Sequence, residues 1–193
     1  DSIEQGTRAT AVTAAMLIIG NEILSGRTKD ANLHYLASEL TKLGVRLLEV
    51  RVVPDVERVI VDAVNELRSC YNYVFTTGGI GPTHDDITSE CIAKAFEVKL
   101  AEHPTARRLL EQQVSKHGTL LNEARLRMAK MPEGAMLIEN TDSVVPGFQM
   151  ENVYVMAGVP RIMQAMFEGL KQSLKRGQPM ISRTITCKLP EGT

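Results

Sequence analysis

An α/β fold with a parallel sheet covered by helices on both faces is what this sequence predicts, and three observations carry the prediction. The segment Ala14–Ile19 (AAMLII) is continuously apolar and stops at Gly20, as a strand buried on both faces does. Strand-like and helix-like patterns then alternate, β-α-β-α-β, within the first hundred residues, which calls for right-handed crossovers. A glycine-rich stretch, TTGGIGPTHDDIT (Thr76–Thr88), follows the third strand and opens a helix. In sheets of this kind ligands bind outside the carboxyl ends of the strands.

Each element has its own justification. Asp30 is placed to cap the first long helix, in which Leu33, Leu36, Ala37, Leu40 and Leu43 lie at helical spacing before Gly44 stops it. Val45–Val53 alternates and is β-branched, so it reads as a strand that Pro54 breaks. Val56–Cys70 presents Val56, Val59, Ile60, Ala63, Val64 and Leu67 on one helical face. Tyr73–Thr77 is a short strand, and a helix is expected from Asp86 to Phe96. His103–His117 and Leu120–Met131 read as two helices joined at Gly118–Thr119. Arg107, Arg108, Arg125, Arg127 and Lys130 make the pair basic, either as an insertion or lid or as two solvated faces. Ala135–Ile138 is a strand, Asn140–Gly147 a loop, Phe148–Glu151 and Val153–Met156 a hairpin turning at Asn152, and Pro160–Lys175 a final amphipathic helix. Ser182–Leu189 alternates like a further strand. It pairs with the main sheet, pairs with a partner, or begins a segment cut short at Thr193.

Composition narrows the function classes. A chain of 193 residues, 44% apolar and 23% charged, suits one compact domain with a real core. The net charge of −1 argues against a nucleic-acid partner, which favours a basic excess. Apolar runs fall far short of the ~20 residues of a membrane span. Asp1–Thr13 is polar, carries no secretory pattern and reads as a mobile tail. Cys70, Cys91 and Cys187 are odd in number and widely spaced, which fits buried thiols in a reducing cytoplasm.

The glycine loop carries the chemistry. Gly78, Gly79 and Gly81 free the backbone to present successive N–H groups, and a helix N-terminus behind such groups attracts anions. Thr77, Thr83 and Thr88 add hydroxyls, and Pro82 stiffens the turn. The neighbouring Asp85 and Asp86 would repel a phosphate. Either a carboxylate caps the next helix, or it holds Mg²⁺ that bridges to the phosphate. No Walker lysine follows, and the spacing is not that of a dinucleotide-binding turn. Glu22 and Asn21 follow the first strand and face the same rim. Asn32 lies inside the first long helix, where asparagine is a modest choice and serves as a ligand contact or a local cap. His84 is an exposed loop histidine, and Ser143 lies in a turn whose hydroxyl either meets a phosphate or shapes the turn.

Read in order, GNEILSGR (Gly20–Arg27), DAN (Asp30–Asn32), VVPD (Val52–Asp55), TTGGIGPTHDDIT, MPEGA (Met131–Ala135), PGF (Pro146–Phe148) and AGVP (Ala157–Pro160) resemble the molybdopterin-binding domain, and within it the CinA-like (competence/damage-inducible) branch. The resemblance covers about Ala14–Leu174. It implies a three-layer α/β/α sandwich around a mostly parallel sheet over residues 14–176, with the helical insertion at about 103–131. Residues 177–193 would form an extension or the start of a further segment, and the length resembles that of a relative standing alone without the deamidase domain. The resemblance implies a small phosphorylated ligand: molybdopterin or its adenylylated form in one branch, a nucleotide pyrophosphate such as ADP-ribose or FAD in the other. Hydrolysis of the latter would need a divalent metal, with Mg²⁺ expected. Acidic positions of the family fall on Asp55, Asp85 and Asp86, which become the catalytic and metal-binding candidates. Ligand contacts are expected from Gly20, Glu22, Asn32, Thr77, Gly78, Gly79, Gly81, Thr83, Ser143, Pro146, Gly147 and Gly158. A cytoplasmic homo-oligomer, dimer or trimer, is expected. Where many CinA proteins read PGPPSE, this chain has AGVPRI (Ala157–Ile162), so Arg161 and Ile162 replace a serine and a glutamate. That departure leaves three functions open: a pyrophosphatase, a step of molybdenum-cofactor synthesis, or a binding module without turnover.

Overall fold

The computed structural model describes residues 11–140 and 145–177. The tail before residue 11, Ser143, Cys187 and the alternating Ser182–Leu189 segment lie outside that range. The chain runs β1 (Thr13–Ile19), α1 (Asn21–Leu24), α2 (Asn32–Lys42), β2 (Arg46–Val53), α3 (Glu57–Cys70), β3 (Tyr73–Thr77), α4 (Thr88–Ala95), β4 (Leu100–Glu102), α5 (Pro104–His117), α6 (Glu123–Arg127), β5 (Lys130–Pro132), β6 (Met136–Ile138), β7 (Gly147–Met150), β8 (Val153–Met156) and α7 (Pro160–Leu170). One 3₁₀ turn, Lys171–Ser173, follows.

The main sheet has six strands in the order β2-β1-β3-β8-β7-β6. β1 pairs in parallel with both β2 and β3, and β3 with β8. β7 pairs antiparallel with β8 and with β6, so it alone runs against the rest. α2 packs against α7 in one layer and α3 against α4 in the other. The sheet is thus the middle of three layers. β1 is an interior strand, flanked by β2 and β3, and its Ala14, Ala15, Met16 and Leu17 have no exposed surface, as its unbroken apolar run requires.

Between the sheet and α7, Phe75 stacks on Tyr154 at 5.4 Å and meets Phe167 edge-on at 6.0 Å. Phe75 and Phe167 are fully buried, and each such burial stabilises by about 1.5–3 kcal/mol. The start of α2 matches its predicted cap: the Asp30 carboxylate accepts from the backbone N–H of Asn32 at 3.2 Å and of Leu33 at 3.0 Å.

The structure departs from the sequence reading in several places, among them the unpredicted α1 and β4. Leu120–Met131 is not one helix. Asn122 caps α6 by accepting from Arg125 N–H at 2.9 Å, and the helix ends at Arg127. Pro132 then steers Met131 away from helical geometry, and Lys130–Pro132 pairs with β4 as a separate two-stranded ribbon. α4 starts at Thr88 rather than Asp86, which lengthens the glycine loop. α7 ends at Leu170 rather than Lys175.

Candidate functional site

The order β2-β1-β3 means that the chain leaves β1 toward one side of the sheet and returns to pair on the other. A crevice opens at such a switch point, beyond the strand ends. Three loops meet there. Gly20 N–H donates to Val53 O at 3.0 Å. Asn21 and Asp55 then form a reciprocal pair: Asn21 N–H donates to Asp55 Oδ2, Asp55 N–H donates to Asn21 Oδ1, and both bonds are 3.1 Å. Gly78 N–H donates to Met156 O at 3.1 Å, which ties the glycine loop to the end of β8. The segments Gly20–Thr28, Pro54–Asp55 and Gly78–Asp86 therefore share one rim, as their strand-end positions predict.

The loop's conformation depends on glycine at two points. Gly78 has φ of +95° and Gly79 of +74°. A Cβ on Gly78 would overlap the carbonyl oxygen of Ile19, and one on Gly79 would overlap the Thr88 hydroxyl. Thr88 is fully buried and holds both loop carbonyls: its Oγ1 donates to Gly78 O at 2.9 Å and its N–H to Gly79 O at 3.0 Å. With the carbonyls turned toward α4, the N–H groups of Gly79, Ile80 and Gly81 have no acceptor among the described residues.

Asp86 does not take the capping role that its position suggested. Its Oδ2 accepts from Thr83 N–H at 2.9 Å and from the Thr83 hydroxyl at 2.8 Å, while Asp86 N–H donates back to Thr83 O at 3.1 Å. The carboxylate closes the loop on itself and does not cap α4, whose first residue lies beyond it. Asp85 is exposed, with Oδ1 at 3.4 Å from His84 Nε2, and His84 is itself exposed.

Beside the loop, a small crevice of about 50 Å³ is lined by Ile19, Glu22, Asn32, Thr77, Gly78 and Gly158, among others. Asn32 is 3% and Thr77 1% exposed. Asn32 Nδ2 donates to Gly158 O at 2.8 Å, but its Oδ1 has no partner, and neither has Thr77 Oγ1. Buried polar atoms are nearly always paired, so two atoms without a protein partner in one crevice are unusual. Among the described residues, Thr76 Oγ1 and His103 Nδ1 are the other such side-chain atoms. Gly158 lies so close that a Cβ on it would come within 3.2 Å of Gly78 Cα. Glu22 folds its carboxylate over Gly20. Pro146 and Gly147 are buried, and Gly147 is pressed against Val155 O and the Met166 sulfur, so its observed role is packing.

The electrostatics of the rim are acidic. Burial pushes the Asp55 carboxyl above its usual 3.8; the Asn21 N–H opposes this, and the charges of Glu22, Asp86 and Asp85 add to it. Asp55, Asp85 and Asp86 are thus near enough to repel. Among the described residues, however, no three His, Cys, Asp or Glu side chains converge as a ready-made metal cage. The all-oxygen donor set suits Mg²⁺, which commonly uses one or two carboxylates and completes its shell from phosphate and water. Ile162 packs against the core, so the position at which many CinA proteins have glutamate supplies no carboxylate here. No helix among the described residues is long and apolar enough to cross a membrane.

Switch-point crevice, glycine loop and sheet order together define a three-layer α/β domain with an open crevice beyond its strand ends, and comparison places the chain in a family of that fold. The family described as "Probable molybdopterin binding domain" matches residues 15–176, and the chain belongs to that family. More particularly, it is CinA-like. The crystal structure of a CinA protein of unknown function from Thermoplasma acidophilum superimposes with a TM-score of 0.78 at 31% identity, covering 86% of this chain and 99% of that one. The tungsten cofactor synthesizing protein MoaB of Pyrococcus furiosus shares the fold, with a TM-score of 0.54 and 19% identity over 86% of this chain and 93% of its own. A protein of Pyrobaculum calidifontis is 39% identical over 173 residues, 86% of this chain. The present chain spans 66% of that relative's length, just under two thirds.

Proposed function

We propose that this domain binds a small phosphorylated ligand, a heterocycle carrying a phosphate ester or anhydride, at the switch-point rim. The observation that supports this best is the run of three unpaired amides, Gly79–Gly81, left free because Thr88 holds the neighbouring carbonyls. Successive N–H groups of this kind form an anion-binding concavity, and the first turn of α4 adds its dipole. Thr77 Oγ1 donates a further hydrogen bond to the phosphate, and Asn32 Oδ1 accepts from a donor group of the ligand. The Asp55 and Asp86 carboxylates, with Asp85 and Glu22 beside them, hold a divalent cation together with the phosphate. When bound, that cation supplies Lewis-acid polarisation of the phosphate oxygens and relieves the repulsion at Asp55. Asn21 keeps the Asp55 side chain turned to the rim, and Thr83 keeps Asp86 from collapsing onto the amides.

Two ligand types fit this chemistry, a nucleotide pyrophosphate and molybdopterin. The apolar Ile162 favours binding over hydrolysis, since it removes one oxygen ligand from the rim. Isothermal titration of ADP-ribose, FAD and a pterin phosphate, each with Mg²⁺ and with chelator, tests the reading, with AMP release followed in the same samples. Mg²⁺-dependent binding of at least one of them is expected. Equal binding in chelator, or none at all with any ligand, contradicts it. Metal-dependent AMP release would add turnover.

A further inference from the structure

The main sheet ends in β2, and among the described residues no strand pairs with its outer side. Gly20 N–H donates to Val53 O, so Val53, Arg51 and Glu49 turn their backbone groups to β1 while Val50 and Val52 turn theirs outward. The one shift of register lies lower, opposite Ala14 and Ala15, and leaves Glu49–Val53 regular. One face of this open strand is apolar: Leu48, Val50 and Val52 are 53%, 36% and 38% exposed. The opposite face is charged. Arg51 reaches Glu66 of α3 and Glu49 of its own strand, and the Tyr71 hydroxyl donates to Glu49 at 2.8 Å. Glu49 and Arg51 still keep about a third of their side-chain surface open. A row of outward N–H and C=O groups beside exposed valines is a template for another strand.

We infer that β2 is a self-association surface, which pairs antiparallel with β2 of a second copy about a twofold axis at Val50. The charges choose both the occupant and the register. An axis at Glu49 sets that carboxylate against its own copy, and an axis at Arg51 does the same to the guanidinium; like charges directly opposite are destabilising. An axis at Val50 sets Glu49 opposite the partner's Arg51 and Arg51 opposite the partner's Glu49. Both are non-hydrogen-bonded pairs, in which facing side chains come closest. Val50 exchanges its outward N–H and C=O with the partner's Val50. Leu48 meets the partner's Val52, so the apolar face continues across the joint. One stretch of sequence is thus complementary to itself, as a twofold interface requires. Two six-stranded sheets become one continuous sheet. Because the joint is antiparallel, the two switch-point crevices lie at opposite ends of it, and association leaves the proposed ligand site open.

Sedimentation equilibrium of the full chain across the micromolar range tests this for the native protein, Val50→Lys, Glu49→Arg and Arg51→Glu, with thermal melts confirming that each variant is folded. The native chain should form a species of twice 21.3 kDa and nothing larger. Val50→Lys places two ammonium groups at the axis and should weaken association at least about tenfold. Glu49→Arg and Arg51→Glu should each weaken it alone. An equimolar mixture of these two should associate again, because every cross-strand pair in the mixed dimer is then of opposite charge. Hydrogen exchange at the Val50 and Val52 amides should slow as the native chain dimerises. A native monomer at every concentration, a trimer, a dimer that Val50→Lys leaves intact, or a mixture that stays monomeric overturns the inference. So does slow exchange at Val50 in a monomer, which would mean that the edge is covered within one chain.

Discussion

Replacing Asp55 by Asn separates what the acidic rim costs from what it is for. Asp55 is half-buried, and its Oδ2 accepts from Asn21 N–H at 3.1 Å. Asparagine keeps a side-chain oxygen for that bond and removes the charge. Burial, with Glu22, Asp86 and Asp85 adding to it, raises the carboxyl pKa above 3.8. A carboxyl whose folded pKa is raised costs the fold nothing below its unfolded pKa. It costs stability increasingly as pH rises through the folded value, and in full at neutral pH. The rim is open to solvent, so the scale is that of exposed charge pairs, about 0.2–1 kcal/mol. For a domain of this size that is about 0.4–4 °C in Tm. Scanning calorimetry without ligand should therefore show Asp55→Asn melting higher than the native protein at pH 7, with the gain vanishing near pH 3. Mg²⁺-dependent ligand binding should be lost in the same variant. A lower Tm at pH 7 would show that the charged pair with Asn21 outweighs the repulsion. Intact Mg²⁺-dependent binding would remove Asp55 from the site.

Other predictions follow from single contacts. Gly78→Ala forces a left-handed residue and an overlap with Ile19 O, and should cost about 2–5 kcal/mol in urea unfolding; a loss below about 1 kcal/mol would contradict the loop geometry. Asp86→Ala frees Thr83 N–H and hydroxyl, so amide exchange at Thr83 should quicken even without ligand; unchanged exchange would deny Asp86 its role in closing the loop. Thr77→Val removes a hydroxyl with no protein partner and should leave stability within about 1 kcal/mol while weakening phosphate-ligand binding; the reverse pattern would make Thr77 structural. Burial pushes the Cys91 thiol up to about 12, so alkylation at pH 8 with peptide mapping should mark the exposed Cys70 and spare Cys91 until the protein unfolds.

Much of the fold is legible because its signals are local. Ala14–Ile19 and Tyr73–Thr77 announce themselves by continuous apolar or β-branched runs, and Asp30 and Gly44 bracket α2. β4 is not legible: three residues, LAE, carry no period, and their pairing with β5 is decided by contacts made thirty residues later. The local signal for β5 is Pro132, which the apolar spacing of Leu120–Met131 masks. At the site, residue types and strand-end positions bring Glu22, Asn32, Asp55, Thr77 and the glycines to one rim. Spacing could not reveal which way a side chain turns. Asp86 closes onto Thr83, Gly78 N–H is engaged by Met156, and Ile80 joins Gly79 and Gly81 as a donor although it is no glycine. The Asn21–Asp55 pair spans 34 residues of sequence, and no local pattern encodes it.

The bond that matters most can be watched directly. At 21.3 kDa the protein suits amide-resolved NMR. Titration of the labelled chain with ADP-ribose in Mg²⁺ should move the Gly79, Ile80 and Gly81 amide protons downfield together, with the Gly78 amide, already bonded to Met156, moving least. Shifts confined to other loops, or none at these three amides at saturating ligand, would contradict a phosphate site on the glycine loop.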